Sequence, residues 1–114
     1  MRGIKMLNNG EKIIKSVTTL GIPCFLGHYK GDSIPYATYE TILERNEEFA
    51  DNESECEGAY LRLHVFTKEN FLMMKEKIKE GLKEQGFFGI TYGPETYEDD
   101  TELYHLIFDF IAEE

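Results

Sequence analysis

The clearest pattern in the chain is the strict alternation over residues 59–66, where Ala59, Leu61, Leu63 and Val65 point one way and Tyr60, Arg62, His64 and Phe66 the other. A period of two belongs to a β-strand with one face in the core, so the first set is expected to be buried. A helical period occurs twice. Residues 6–20 place Ile13, Ile14, Val17 and Leu20 on one side, with Lys12, Lys15 and Ser16 opposite. Residues 68–85 carry Phe71, Met74, Ile78 and Leu82 as an apolar stripe, with Thr67 as the expected cap. Glycine punctuates both helices, Gly21 ahead of Pro23 and Gly86 after Gln85, because glycine takes the left-handed conformation that follows a helix end. The interleaved charges of the second helix, such as Glu76 with Lys79 and Glu80 with Lys83, describe a solvated face worth a few tenths of a kcal/mol per pair.

The remaining apolar runs read as strands over 23–29, 36–45, 87–92 and 103–111, separated by a turn at Gly31, Asp32, Ser33 and Pro35 and by acidic connections over 46–55 and 95–102. The order is α-β-β-β-α-β-β. It predicts a single α+β domain over 1–114, an antiparallel sheet of about five strands with two helices, one or both of them covering one face. Aromatic residues assigned to the other face, Tyr60, Phe66 and Tyr92, call for a neighbour to bury them, and with Arg62 they are the candidate sheet-face contacts.

Charge narrows the partners. The net charge is −10, and it is uneven: residues 1–30 hold five Lys or Arg against the single acid Glu11, whereas the remainder has 21 acids and seven bases. A nucleic-acid backbone would meet repulsion from that remainder, so sequence-specific nucleic-acid binding is not expected. The two cysteines, Cys24 and Cys56, form no CxxC pair, which suits packed thiols in a reducing compartment and disfavours a structural zinc site. No run approaches the roughly 20 apolar residues of a membrane span, and the N-terminus lacks the apolar core of a signal peptide, so a cytoplasmic protein without a membrane role is expected.

Motifs for chemistry are missing. His28, His64 and His105 lie on separate strands with no HxH or HxxxH spacing; each reads as a hydrogen-bonded structural residue. Ser16, Ser33 and Ser54 sit in no nucleophile elbow, and there is no phosphate-binding glycine loop. The acid pairs Glu47 with Glu48 and Asp99 with Asp100 lack the ligand order of a calcium loop. Strand aromatics that stack on bases need basic neighbours, and Arg62 alone qualifies. No catalytic, cofactor or metal site is expected, and the aromatic residues are assigned to packing and subunit contact.

One resemblance extends this reading. Pro35, Tyr36, Ala37, Thr38 and Tyr39 after the Gly31-Asp32 turn, the strand from Glu57 through Phe66 into a helix ending Glu84-Gln85-Gly86-Phe87, and the acidic turn from Tyr97 through Glu102 into Leu103, Tyr104 and His105 resemble the tail completion or head-to-tail joining proteins of long-tailed bacteriophages and prophages, relatives of the tail terminators. The resemblance spans most of the chain and rests on a diffuse pattern, with no invariant motif. It implies a structural, non-enzymatic protein that caps the head-proximal end of the tail tube and joins it to the head connector as a ring of six copies. It further implies assembly in the bacterial cytoplasm and residence at the head-tail junction of the virion, with tube subunits and connector as partners and no cofactor. On this reading Glu47, Glu48, Asp51, Glu53, Glu55, Glu98, Asp99 and Asp100 are candidate partner-facing or lumen-facing acids. Two other readings stand beside it. One is a small regulatory or ligand-binding α+β domain acting as a dimer. The other is a small hydrolase using His64 or His105, which needs an acid or nucleophile beside the ring.

Overall fold

Asn8 opens the first helix, α1 (Asn9–Thr18), through a reciprocal capping box: its side chain accepts from the Glu11 N–H at 2.8 Å while Glu11 Oε1 accepts from the Asn8 N–H at 3.0 Å. The helix ends in a Schellman motif, with Ile22 N–H on Val17 O and Gly21 N–H on Thr18 O, and Gly21 at φ 82°. The second helix, α2 (Phe71–Glu84), ends the same way: Phe87 N–H reaches Leu82 O, Gly86 N–H reaches Lys83 O, and Gly86 sits at φ 95°. In both, the residue after the glycine is apolar and buried, so each helix end is also an anchor into the core. The computed structural model describes residues 8–46, 57–68 and 71–113.

The strands are β1 (Cys24–Leu26), β2 (Tyr36–Asn46), β3 (Glu57–Thr67), β4 (Phe88–Tyr92), β5 (Thr96–Glu98) and β6 (Leu103–Glu113). They form one six-stranded sheet in the order β1-β2-β3-β6-β4, with β5 also on β6. All pairings are antiparallel except β1 on β2, which is parallel. The α+β class and the expected order hold, with one short strand added. That strand lies inside the expected acidic connection: β4 pairs with residues 108–111 of β6 and β5 with residues 103–105, so together they form one edge strand broken at Gly93, whose N–H still reaches Ile107 O at 2.8 Å. Only residues 99–102 form the turn, closed by Glu102 N–H on Glu98 O at 2.7 Å.

Both helices lie on one face. Ile13 and Val17 of α1 and Ile78 and Leu82 of α2 are fully buried against Leu63 and Val65 of β3 and Phe108 of β6, and the alternation predicted for residues 59–66 puts Ala59, Leu61, Leu63 and Val65 in the core as expected. Thr67 is the buried last residue of β3, opposite Tyr104 in the β3–β6 ladder, and the capping contact expected of it falls on residues 69 and 70, outside the described residues. One expectation is corrected here. Ser16 is buried, not solvent-facing: the helices cross where Gly81 has no side chain, and Ser16 Oγ donates to Lys12 O at 2.8 Å and to Gly81 O at 3.3 Å. Among the described residues, no helix is long and apolar enough to cross a membrane.

Candidate functional site: the open face of the sheet

Strand alternation that buries Leu61, Leu63 and Val65 under the helices sends Tyr60, Arg62, His64 and Phe66 to the other side, over which no helix lies among the described residues. Register then assembles this face row by row. Tyr36, Phe66 and His105 stand abreast on β2, β3 and β6; Glu40, Arg62 and Asp109 stand abreast four residues further along β2. The face therefore has an aromatic end, a charged middle and an apolar end.

At the aromatic end the rings of Phe25, Tyr29, Tyr36, Phe66 and His105 form a continuous stack with successive centroids 4.6, 4.8, 4.7 and 4.4 Å apart. Such spacings suit offset stacking, each worth about 0.5–1.5 kcal/mol beyond burial. Tyr29 reaches the stack from the loop after β1, where its hydroxyl accepts from the Ser33 N–H at 2.9 Å. In the middle, Arg62 makes a bidentate pair with Asp109, Nε to Oδ1 at 2.7 Å and Nη2 to Oδ2 at 3.1 Å. That bond raises the already high guanidinium pKa, against the opposing effect of burial. Beside it runs a line of four side chains, Glu40, His64, His105 and Glu98, held by contacts of 2.9, 2.8 and 3.4 Å. His105 is pushed below the ordinary histidine value, first by burial and then by His64, with Glu98 opposing. Burial raises the Tyr36 hydroxyl, and Glu98 and Tyr29 add to it.

At the apolar end Ile42, Leu43, Tyr60 and Phe88 are between 36% and 48% exposed. Ile42 is the extra residue of a bulge in β2, which brings it beside Leu43 on this face. A shallow cavity of about 380 Å³ opens here, lined by Ile42, Tyr60, Gly89 and Ile111 together with Arg62 and Asp109.

Of the predicted sheet-face contacts, Tyr60, Arg62 and Phe66 share this face. Tyr92 does not. It pairs with Phe108, meets that ring edge-on at 5.2 Å under the helices, and carries Lys75 Nζ 4.3 Å above its own ring. The bulge in β4 between Phe88 and Thr91 shifts the side-chain alternation, so a strict count from Phe88 puts Tyr92 on the wrong side. Of the predicted acids, Glu98 is a strand residue tied to His105, and Thr101 Oγ1 donates to it at 3.2 Å, while Asp99 and Asp100 are exposed on the turn. Glu47, Glu48, Asp51, Glu53 and Glu55, like Cys56, lie outside the described residues. Among the described residues no three His, Cys, Asp or Glu side chains are arranged to hold a metal ion.

The histidine line was not legible as a site, although its signal was in the sequence. His64 and His105 both fall on outward positions of the two strands with the clearest alternation. What places them together is the β3–β6 register, which sets Phe66 opposite His105 and so makes His64 the diagonal neighbour of His105.

No family model and no curated protein matches the chain. Among solved structures it is similar to a chain of the virion of a native gene transfer agent particle, with 8% sequence identity, 86% of this chain and 82% of that one covered, and a TM-score of 0.47. A likeness of that grade carries no argument about what this chain binds or where it acts.

Proposed function

We propose that this chain is a non-catalytic structural subunit that works by seating its open sheet face against other protein subunits of a phage-derived particle. The observation that carries the reading is the apolar end of that face, where the register sets Leu43, Tyr60, Ile111 and Phe88 in one row with Ile42 beside it, and Ile42, Leu43, Tyr60 and Phe88 are each a third to a half exposed. An apolar cluster of this kind, rimmed by a satisfied ion pair, has the composition of an interface centre with a polar rim. The sequence resemblance sharpens the role to closing the head-proximal end of a tail tube and meeting the head connector, as a ring of six copies. In that setting the exposed Asp99 and Asp100 face a lumen or a partner, where negative charge repels passing DNA and guides basic partners.

The test is light scattering with negative-stain imaging of the purified chain, alone and mixed with assembled tail tubes. Rings, or tubes capped at one end, are expected, and Leu43→Asp with Tyr60→Asp abolishes them while the circular dichroism spectrum stays that of the folded protein. Association with tubes that survives the double substitution overturns the surface assignment. A tight dimer that ignores tubes favours the regulatory-domain reading instead.

A further inference from the structure

The line Glu40, His64, His105 and Glu98 crosses four strands, β2, β3, β6 and β5, and uses both nitrogens of both rings: Glu40 Oε2 meets His64 Nε2 at 2.9 Å, His64 Nδ1 meets His105 Nε2 at 2.8 Å, and His105 Nδ1 meets Glu98 Oε2 at 3.4 Å. Counting protons decides what such a line holds. An ionised carboxylate only accepts, and a neutral imidazole has one donor and one acceptor. Three contacts need three protons, and two neutral rings supply two. With both rings neutral, one contact sets lone pair against lone pair. With one ring protonated, every contact holds one proton. With both protonated, two N–H groups meet head-on between the rings. The line is completed by one added proton and resists a second.

Ring geometry distinguishes a proton from a metal ion at this position. The two centroids are 5.0 Å apart and the facing nitrogens 2.8 Å apart, a difference close to two ring radii, so the nitrogens lie along the line joining the rings. Their lone pairs point at each other, as in a hydrogen bond. A metal requires them to converge on a third point about 2.0–2.1 Å from each nitrogen.

We infer that His64 and His105 form a single proton-binding site, an imidazole–imidazolium pair that takes up one proton where two separate histidines take up two. Among the described residues, the other titratable groups facing the pair are Tyr36 on β2 and Arg62 and Asp109 on β3 and β6, along with the two carboxylates of the line. Tyr36 stays neutral and Arg62 stays charged over the range in which histidine titrates, and Asp109 is committed to Arg62. Proton uptake is therefore local to the pair. Its mechanical effect falls on β5, because the His105–Glu98 contact is the longest of the three and is the one to empty when the shared proton leaves. In mild acid Glu98 is tied to the sheet through His105; above that range the tie loosens. This site does not depend on the docking role proposed above.

The experiment is a long-range proton–nitrogen NMR titration of the imidazole rings in the intact chain from pH 8 to pH 4. The nitrogens of His64 and His105 are expected to move together with a common midpoint and to account for one proton between them, as coupled groups do. In His64→Gln the remaining His105 then titrates as a full separate step with a displaced midpoint, and Glu98→Gln lowers the common midpoint of the pair. Two full independent steps in the natural chain, or a His105 midpoint unmoved by His64→Gln, overturn the inference. The natural-chain titration stands by itself if a variant fails to fold.

Discussion

Gly81→Ala separates the packing of the two helices from helix propensity, because the two predict opposite signs. In an exposed helix interior, alanine is better than glycine by about 1 kcal/mol. At position 81 of α2, an added Cβ would stand 2.7 Å from Ser16 O of α1, and 3.5 and 3.6 Å from Ser16 C and Cα. The obstacle is helix backbone, which has no rotamer to move into, so the helices must part by the better part of an ångström. That separation stretches the Ser16 Oγ to Gly81 O contact, already 3.3 Å, and loosens Ile13 and Val17 against Ile78 and Leu82. Overpacking of this kind costs roughly 1–3 kcal/mol, and the weakened hydrogen bond about 0.5–1.5 kcal/mol. After the propensity gain, a net loss of about 1–2 kcal/mol is expected. With a urea m-value of ~1–3 kcal/mol/M, the unfolding midpoint falls by roughly 0.5–1 M. Ser16→Ala is the control, since it removes a hydroxyl and leaves the close approach intact; it should cost no more than about 1 kcal/mol. A Gly81→Ala midpoint that is unchanged or raised, at unchanged m-value, would refute the helix crossing as described.

Phe108→Ala, at a fully buried ring in the centre of β6, is expected to cost about 3–5 kcal/mol by urea unfolding. Cys24 is buried and its thiol is pushed up to about 12, so alkylation at pH 8 should be slow in the native protein and accelerate on unfolding; rapid native labelling read by mass spectrometry would contradict its placement. A double-mutant cycle on Arg62→Ala and Asp109→Ala should return a coupling of no more than about 1 kcal/mol, because each side chain is more than a third exposed and water screens the pair. Stability should decline as pH falls below the ordinary histidine value of 6.5: burial and His64 lower the folded-state pKa of His105, so the unfolded chain, with two separate histidines, binds more protons than the folded pair, and the contribution is complete above that value and lost toward lower pH. The slope is at most about 1.4 kcal/mol per pH unit for one proton, and urea midpoints at pH 7.5 and 5.5 should differ less in His105→Gln than in the natural chain.

The elements with strong local signals were legible in the sequence for physical reasons that recur in the structure. Residues 59–66 alternate without interruption because β3 is central, with a helix-covered face that tolerates only apolar side chains. Gly21 and Gly86 mark helix ends because both ends are Schellman motifs that need a left-handed residue. Ser16 was misplaced for a reason of the opposite kind. Its burial depends on a glycine 65 residues away that lets a helix approach its backbone, and nothing in its own window carries that information. Tyr92 was misplaced because one bulge reverses the face of everything beyond it.

The acidic run over 95–102 shows why charge density hides structure. Read locally it is a solvated loop, yet Thr96, Tyr97 and Glu98 pair with His105, Tyr104 and Leu103. The pairing is possible because this is an edge, where one side of the strand is hydrogen-bonded and the other is open to water. An apolar edge strand would offer its free backbone groups to any passing chain, and an edge that carries Glu95 and Glu98 and runs straight into Asp99 and Asp100 repels a second copy of itself. The same acids that argue against a strand on composition are thus suited to the outermost strand of the sheet. One of them, Glu98, turns back along the open face of the sheet, where its carboxylate accepts from the Thr101 hydroxyl and lies 3.4 Å from His105 Nδ1, so the edge keeps its charge while that side chain stays tied to its neighbours.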